Sequence, residues 1–393
     1  MPAPLTVTVD LDAIAHNVRV ITDRAGVPPI AVVKADGYGH GAVPVARAAL
    51  AAGAAELGTA HVSEALALRA AGIDAHITAW LHSPSTDFAA AIAADVDVAV
   101  SSSRQLAAVV AAARELGTTA TVTAKVDTGL GRSGIGHADW ADTARALARA
   151  QAEGAITLRA MMCHLACGDE PDNPLNTAQA QRLDEATREL VALGVTPELT
   201  HVANSPAALT RPDLARDLVR PGVALYGGRP IPERGDFGLI PAMTLTAEVA
   251  LVKRIPAGQG VSYGHRWVAP RDTVIAVLAA GYADGIPRLL SGRFDVDVAG
   301  RRFPSVGRVC MDQLVIDLGP DGGGVAEGDR AVLFGASRSG RPPVPTATEW
   351  AATIDTIDYE IFTGIRGRAR RRYVGGAAEN ADTPGPDTRE AAR

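Results

Sequence analysis

Residues 29–41 read Pro29-Ile30-Ala31-Val32-Val33-Lys34-Ala35-Asp36-Gly37-Tyr38-Gly39-His40-Gly41, an apolar run that delivers one lysine into a glycine-rich turn. Burial at a strand end lowers an ammonium's pKa, so such a lysine is normally paired or chemically used. A neutral Lys34 is a nucleophile toward aldehydes. Taken alone, a lysine here more often snorkels at a strand edge. Other residues suited to chemistry sit at comparable places: Asp127 to Arg132 after one apolar run, His164 at the end of another, Asn204 and Ser205 after a third, and Arg220-Pro221-Gly222 within a fourth. Cys163-His164-Leu165-Ala166-Cys167 could pass for half a metal site, but no second Cys or His cluster completes it and no metal is expected.

The elements that must position these residues follow a repeating pattern. Strand-like runs occur at Ile30 to Lys34, Glu56 to Ala60, His76 to Leu81, Val96 to Val100, Ala120 to Val126, Leu158 to Cys163, Leu199 to Val202 and Val219 to Tyr226. Helix-like segments lie between them, including Val43 to Ala52, Ser63 to Ala71, Arg104 to Leu116, Trp140 to Ala152 and Asn176 to Leu193. Eight such units predict an α/β fold, a (β/α)8 TIM barrel over residues 11–230, whose chemistry gathers at the C-terminal strand ends. No G-x-G-x-x-G follows the first of these strands, so a Rossmann sheet has little support.

A strand at Thr6 to Val9 and a helix from Leu11 to Arg24, capped by Asp10 or Asp12, precede the repeats. After Pro230, Pro232 and Gly235 the rhythm becomes short and alternating, at Leu245 to Val252, Val274 to Leu278, Phe294 to Val298, Leu314 to Leu318 and Ala331 to Phe334. This predicts a mainly β C-terminal domain over residues 236–373, interrupted by one helix starting near Thr346 or Thr348. Residues 375–393 are expected to be a disordered tail.

The chain has 393 residues, too many for one ordinary core. A net charge of -6 and the absence of a dense basic face argue against a nucleic-acid partner or an anionic membrane. Met1-Pro2-Ala3-Pro4 has neither a charged leader nor a long apolar core, and no apolar run is long enough to span a bilayer, so a cytoplasmic protein is expected. Three cysteines at this size do not make a disulfide scaffold.

In its motifs the chain resembles the pyridoxal-phosphate-dependent alanine racemases. The resemblance runs from about Thr6 to Tyr373 and is most specific over Ala31 to Gly41. Supporting stretches are Lys125 to Arg132, His201 to Ser205, Arg220 to Gly227, Val261 to Gly264, Gly281 to Gly285 and Gly307 to Asp312. It implies pyridoxal 5'-phosphate as cofactor, alanine as substrate, and a head-to-tail homodimer in which one subunit's β-domain completes the other's active site. It also implies that strand 5–10 packs on the β-domain, a point that composition does not carry.

By the same resemblance Lys34 would hold the cofactor covalently and serve as one base, and Tyr263, from the other subunit, would be the second. A free phenol ionises at a pKa of about 10, so its anion needs hydrogen bonds or positive charge, for which His164 and Arg220 match. Arg220 would also face the pyridine nitrogen and keep the ring a weak electron sink. Ser205, Gly222, Val223, Tyr38 and Tyr359 match the phosphate-binding positions. Arg132 would touch the cofactor's phenolic oxygen and the substrate carboxylate. Lys125 matches a lysine that many members carry carbamylated; unmodified, it would repel Arg132 unless an acid such as Asp127 offset it. Met311, with Asp312 beside it, matches the receiver of the substrate carboxylate, and Tyr282, Asp169, Arg288 and Arg308 an access corridor. His201 and Asn204 would support these residues.

Simpler readings pair Arg220 with Asp217, bury His164 as a satisfied core histidine, and make Ser205 a helix cap. A fold-type III decarboxylase is a competing activity, since Cys310 could serve it, although Arg220 and Tyr263 argue against it. A lone-barrel carrier of the cofactor and a racemase for larger side chains complete the alternatives. The turn Gly264-His265-Arg266-Trp267 and the ending Ile365 to Tyr373 are more basic than the family pattern.

Overall fold

Leu11–Ala25 forms a helix because Leu11, Ile14, Val18, Ile21 and Ala25 recur at helical spacing and are buried together. Asp10 caps it, accepting from the backbone N–H of Asp12 at 3.0 Å and Ala13 at 3.2 Å, and Gly26 ends it in a left-handed conformation. A computed structural model describes residues 3–336 and 343–376; the tail expected at 375–393 lies outside the described residues from 377 onward.

The strands in chain order are β1 (Leu5–Asp10), β2 (Ile30–Val32), β3 (Glu56–Thr59), β4 (Ile77–Ala79), β5 (Asp97–Val100), β6 (Ala120–Lys125), β7 (Ile156–Met162) and β8 (Leu199–His201). From β2 to β8 each pairs in parallel with the next. Their residues are mostly buried on both faces, because helices cover the outside and side chains fill the interior. Trp80 illustrates the filling: a Cβ on Gly58 would lie 2.1 Å from its ring.

The eighth barrel element is less regular than the sequence predicts. Only Val219 bridges Pro29 in parallel, while Ile30 N–H donates to Val219 O at 2.8 Å and Arg220 N–H to Ala203 O at 2.8 Å. Residues 217–221 thus close the ring between β8 and β2, and Val223–Tyr226 turns into a short 3-10 helix instead of continuing as strand. Pro221 removes a ladder donor, and Gly222 adopts φ -102, ψ -90, outside the strand region. A helix at Phe88–Ala93, capped by Asp87, escapes the sequence pattern because four of its six residues are alanine.

The remaining strands are β9 (Met243–Ile255), β10 (Gly260–Val261), β11 (Trp267–Val268), β12 (Thr273–Leu278), β13 (Asp295–Val298), β14 (Arg301–Val306), β15 (Leu314–Gly319), β16 (Arg330–Phe334) and β17 (Arg370–Val374). The large sheet runs β12-β15-β14-β13-β16-β9-β1-β17, and β12 also pairs with β9, closing a ring. β1 lies antiparallel to β9 and parallel to β17, which joins the two ends of the described chain. Two helices, Ala347–Thr353 and Asp358–Gly364, interrupt these strands where the sequence predicts one. Thr346 caps the first, in a reciprocal capping box with Glu349.

Candidate active site

Lys34 is the second residue beyond β2, after Val33. Immediately after it the backbone turns left-handed: φ is 53° at Ala35, 52° at Asp36, 59° at Gly37, 53° at Tyr38 and 78° at Gly39. Each non-glycine residue held this way costs about 1–2 kcal/mol, so the turn persists only because neighbours over-determine it. Ala35 N–H donates to Glu64 Oε1 at 2.7 Å, and Asp36 Oδ1 accepts from Ala42 N–H at 2.9 Å. Arg371, on β17, donates Nε–H to Gly39 O at 2.9 Å. Sequence reasoning finds the glycines but misses Glu64 and Arg371, which lie 30 and 337 residues from Lys34; the basic ending was the only signal of the latter.

Lys34 Nζ makes no hydrogen bond among the described residues and lies 5.9 Å from the centre of the Tyr38 ring. Burial pulls its pKa down, Arg132 adds to the effect, and Glu64 opposes it. Lys125, at the end of β6, is buried and donates to Ser133 Oγ at 2.7 Å. Its pKa falls to about 8 through burial, then through Arg220, Arg132 and Lys34, with Asp127 alone opposing. Asp127 spends Oδ1 on the N–H groups of Gly129 and Gly131 rather than on an ion pair with Lys125 or Arg132. Arg132 has no hydrogen bond or ion pair among the described residues.

His164 is driven to about 3 by burial and by Arg220, Arg132, Lys125 and Lys34 in turn, so its ring is neutral. Arg220 does not pair with Asp217, whose Oδ2 accepts from Thr200 N–H and Oγ1–H instead. Arg220 Nη1 donates to His201 Nδ1 at 2.7 Å and to His201 O at 2.6 Å, and Nη2 donates to Cys163 O and Val202 O. Burial lowers the guanidinium only to about 10, so it stays charged, and burial together with that charge keeps His201 neutral. Arg220 Nε–H is left without a partner among the described residues.

At the opposite side of the mouth, Ser205 Oγ accepts from Gly222 N–H at 2.8 Å and Ala224 N–H at 3.3 Å. The cap of the helix Ser205–Thr210 is Asn204, not Ser205. Val223 opens the 3-10 turn beside them. Gly222 lacks a side chain for a concrete reason, since a Cβ there would lie 2.2 Å from Tyr38 Oη. Tyr38 packs on Tyr226 at 4.9 Å and faces Tyr359 at 6.1 Å between ring centres. Burial pushes the Tyr38 and Tyr359 phenols well up, which keeps both as protonated donors. Tyr226, which the sequence did not single out, is fully buried and donates to Val32 O at 2.9 Å.

The barrel mouth therefore collects Lys34, Lys125, Arg132 and Arg220 with few opposing carboxylates. Such a concentration of partly desolvated positive charge suits a ligand carrying several negative charges. A phosphate on an aldehyde-bearing aromatic ring fits: there is a neutralisable lysine for the aldehyde, the Ser205 O–H, whose oxygen already accepts from Gly222 and Ala224, with the Tyr38 and Tyr359 hydroxyls for the phosphate, and a free Arg220 Nε–H for a ring nitrogen.

Tyr263 and Met311 lie elsewhere. They line a cleft of about 480 Å³ with Ser262, His265, Cys310 and Asp312, and none of its lining residues belongs to the barrel mouth. Tyr263 is 71% exposed and Met311 52%. Ser262 holds the strained φ of 61° beside Tyr263, secured by Oγ–H donation to Arg308 O at 2.8 Å. The corridor residues are also dispersed. Tyr282 and Arg288 line a separate cavity of about 600 Å³, Arg308 sits against Gly264, and exposed Asp169 acts on the buried Tyr359 phenol.

A (β/α) barrel with a cationic mouth, followed by a mostly β unit that carries an exposed tyrosine cleft, defines a two-part enzyme architecture. Its sequence matches the family models for the alanine racemase N-terminal domain over residues 9–230 and C-terminal domain over residues 242–373. It is 60% identical to alanine racemase of Mycolicibacterium smegmatis over 95% of this chain and 96% of the relative. It is 56% identical to that of Mycobacterium tuberculosis strain H37Rv over 93% of this chain and 94% of the relative. The solved alanine racemase of Streptomyces lavendulae superposes with a TM-score of 0.91 at 49% identity, covering 96% of this chain and 98% of that one. The Bacillus anthracis enzyme with bound L-Ala-P superposes at 0.87 with 35% identity, covering 96% and 97%. The chain belongs to the alanine racemase family, and its reaction is an isomerisation.

Proposed function

We propose that the enzyme interconverts L- and D-alanine with pyridoxal 5'-phosphate in the barrel mouth, in the cytoplasm, supplying D-alanine for peptidoglycan. The observation that carries this reading is the half-buried Lys34, without a hydrogen-bond partner among the described residues and beside the cations Arg132, Lys125 and Arg220. When bound, the cofactor acidifies the Cα–H of an amino acid joined to it by withdrawing the electron pair.

Lys34 Nζ would hold the cofactor and, when free, would take or return the Cα proton on one face. Inversion requires a proton from the opposite face, and Tyr263 Oη supplies it. Tyr263 is exposed in a cleft apart from Lys34, so we assign it to the mouth of a second copy of the chain, in a homodimer with shared active sites. Arg220 Nε–H would serve the ring nitrogen as a donor that keeps its proton, since burial lowers the guanidinium only to about 10. Ser205, Gly222, Val223, Tyr38 and Tyr359 would hold the phosphate, and His164 with Arg220 would support the ring. Arg132 and Met311 receive the substrate carboxylate. Tyr282, Asp169, Arg288 and Arg308 form the access corridor when two copies meet. The barrel takes residues 11–230 and the β-domain 236–373, with strand 5–10 joined to the latter.

Lys125 suits carbamylation, since a pKa of about 8 leaves a substantial neutral fraction near physiological pH and the product anion would offset Arg132. The test is Lys34→Ala, which is expected to abolish both the visible absorption of bound cofactor and alanine racemisation. Retention of both refutes the assignment.

A further inference from the structure

The basic ending Ile365 to Tyr373 finds no role in the barrel-mouth chemistry beyond the hold of Arg371 on the Lys34 turn, yet it places a second guanidinium at the other half of the site. Arg368 Nε–H donates to Asp284 Oδ1 at 2.9 Å and Nη2–H to Asp284 Oδ2 at 3.0 Å, a two-point grip on a carboxylate that is only 3% exposed. The remaining arm, Nη1–H, donates to Asp312 Oδ1 at 2.7 Å. Asp284 also accepts from Gly281 N–H at 3.0 Å and so fixes the turn 281–285. That turn lies directly on the segment carrying Met311: Tyr282 N–H donates to Cys310 O at 2.9 Å, and Ala283 N–H to Met311 O at 3.0 Å. A Cβ on Gly281 would come within 2.2 Å of Met311 O, so the two segments are in backbone contact.

Asp312 lines the cleft of Tyr263 and Met311. A substrate carboxylate arriving at Met311 meets that neighbouring negative charge, and among the described residues the only cation bonded to it is Arg368. Lysine would not serve both aspartates, because one ammonium lacks the planar fork that grips Asp284 while reaching Asp312. We propose that Arg368 is a positioning residue for the reaction: it holds the Met311 segment against the 281–285 turn and neutralises Asp312, so that the cleft accepts the carboxylate of the amino-acid substrate. This rests on the proposed function above, in which Met311 receives that carboxylate.

The test uses purified holoenzyme and alanine in both directions. Arg368→Gln is expected to raise KM about two- to fivefold, the effect of releasing one solvent-screened charge at an exposed pair. Turnover number should stay within about threefold and cofactor absorption should be native. Adding Asp312→Asn to Arg368→Gln removes the repelling charge and is expected to restore most of the lost affinity, a rescue that a purely structural role would not produce. Where Arg368→Gln fails to fold, because Asp284 is left buried and unpaired, the same comparison is made in an Asp284→Asn background, which removes both members of that pair. An unchanged KM, or a raised KM that Asp312→Asn does not lower, overturns the proposal. Native protein is assayed alongside. If it does not racemise alanine, the proposed function fails; if it does and the Arg368 series is flat, only this inference fails.

Discussion

Gly222→Ala isolates the contact between the two sides of the barrel mouth. Its φ of -102° carries no left-handed penalty, but with ψ at -90° the backbone lies outside the main regions open to a residue with a Cβ, so alanine adds backbone strain to the contact. The added Cβ lies 2.2 Å from Tyr38 Oη and 2.9 Å from Tyr38 Cζ, more than about 1 Å short of ordinary contact for the hydroxyl. Tyr38 cannot swing away freely, because its ring is wedged against Tyr226 and its backbone belongs to the left-handed turn that begins at Lys34. Overpacking of this size costs about 1–3 kcal/mol, and a displacement of about 1 Å at a reacting group costs roughly a hundredfold in rate. Urea denaturation of the apoprotein measures the first and racemisation by holoenzyme the second. Tyr38→Phe in the same chain removes the closest atom and should recover part of the stability without restoring phosphate binding. Native stability and native turnover in Gly222→Ala would show that Tyr38 and Gly222 do not pack as described.

Asp10→Ala removes the cap of Leu11–Ala25 and should lower stability by about 0.5–2 kcal/mol in urea denaturation, leaving turnover intact because the helix lies outside the barrel mouth. Burial depresses His40 and His82 to about 4 and His164 to about 3, with His201 also well down. Folded-state pKa values below the unfolded value of about 6.5 mean that the unfolded chain binds more protons, so stability rises with pH across this window. It is present in full above about 6.5 and is lost as pH falls toward 4 and then 3. Proton uptake on unfolding at pH 5, followed by calorimetry in buffers of different ionisation enthalpy, should exceed one per chain, and no uptake would contradict the assignment.

The barrel was legible because its strands are short, apolar and separated by helix-length gaps, a pattern that survives in Ile30, Leu57, Ile77, Val98, Val122 and Leu158, all buried. Its eighth element was not, because Val219 to Tyr226 is uniformly apolar whether it is strand or 3-10 turn, and only the tertiary fit around Pro221 and Gly222 decides between them. β14 and β17 were missed for the opposite reason. Arg301, Arg302 and Pro304 face outward on β14, and four arginines in Arg368 to Arg372 mask the alternation of β17. Side chains at the mouth could be named from their motifs, whereas their partners could not. Asp217 is three residues from Arg220 and is occupied by Thr200, while Arg220 bonds the His201 ring and three backbone carbonyls, and the carbonyls carry no sequence signature. The distance between Lys34 and Tyr263 within one chain is likewise a property of the fold alone.

The central claim is that two bases from two copies of the chain act on opposite faces of one substrate. The most direct test is Tyr263→Phe holoenzyme incubated separately with L- and D-alanine in deuterated water, with Cα exchange and chirality followed together. Normal cofactor absorption, loss of racemisation, and retained exchange for one enantiomer only are expected. Equal loss of exchange for both enantiomers, or racemisation at the native rate, would contradict it.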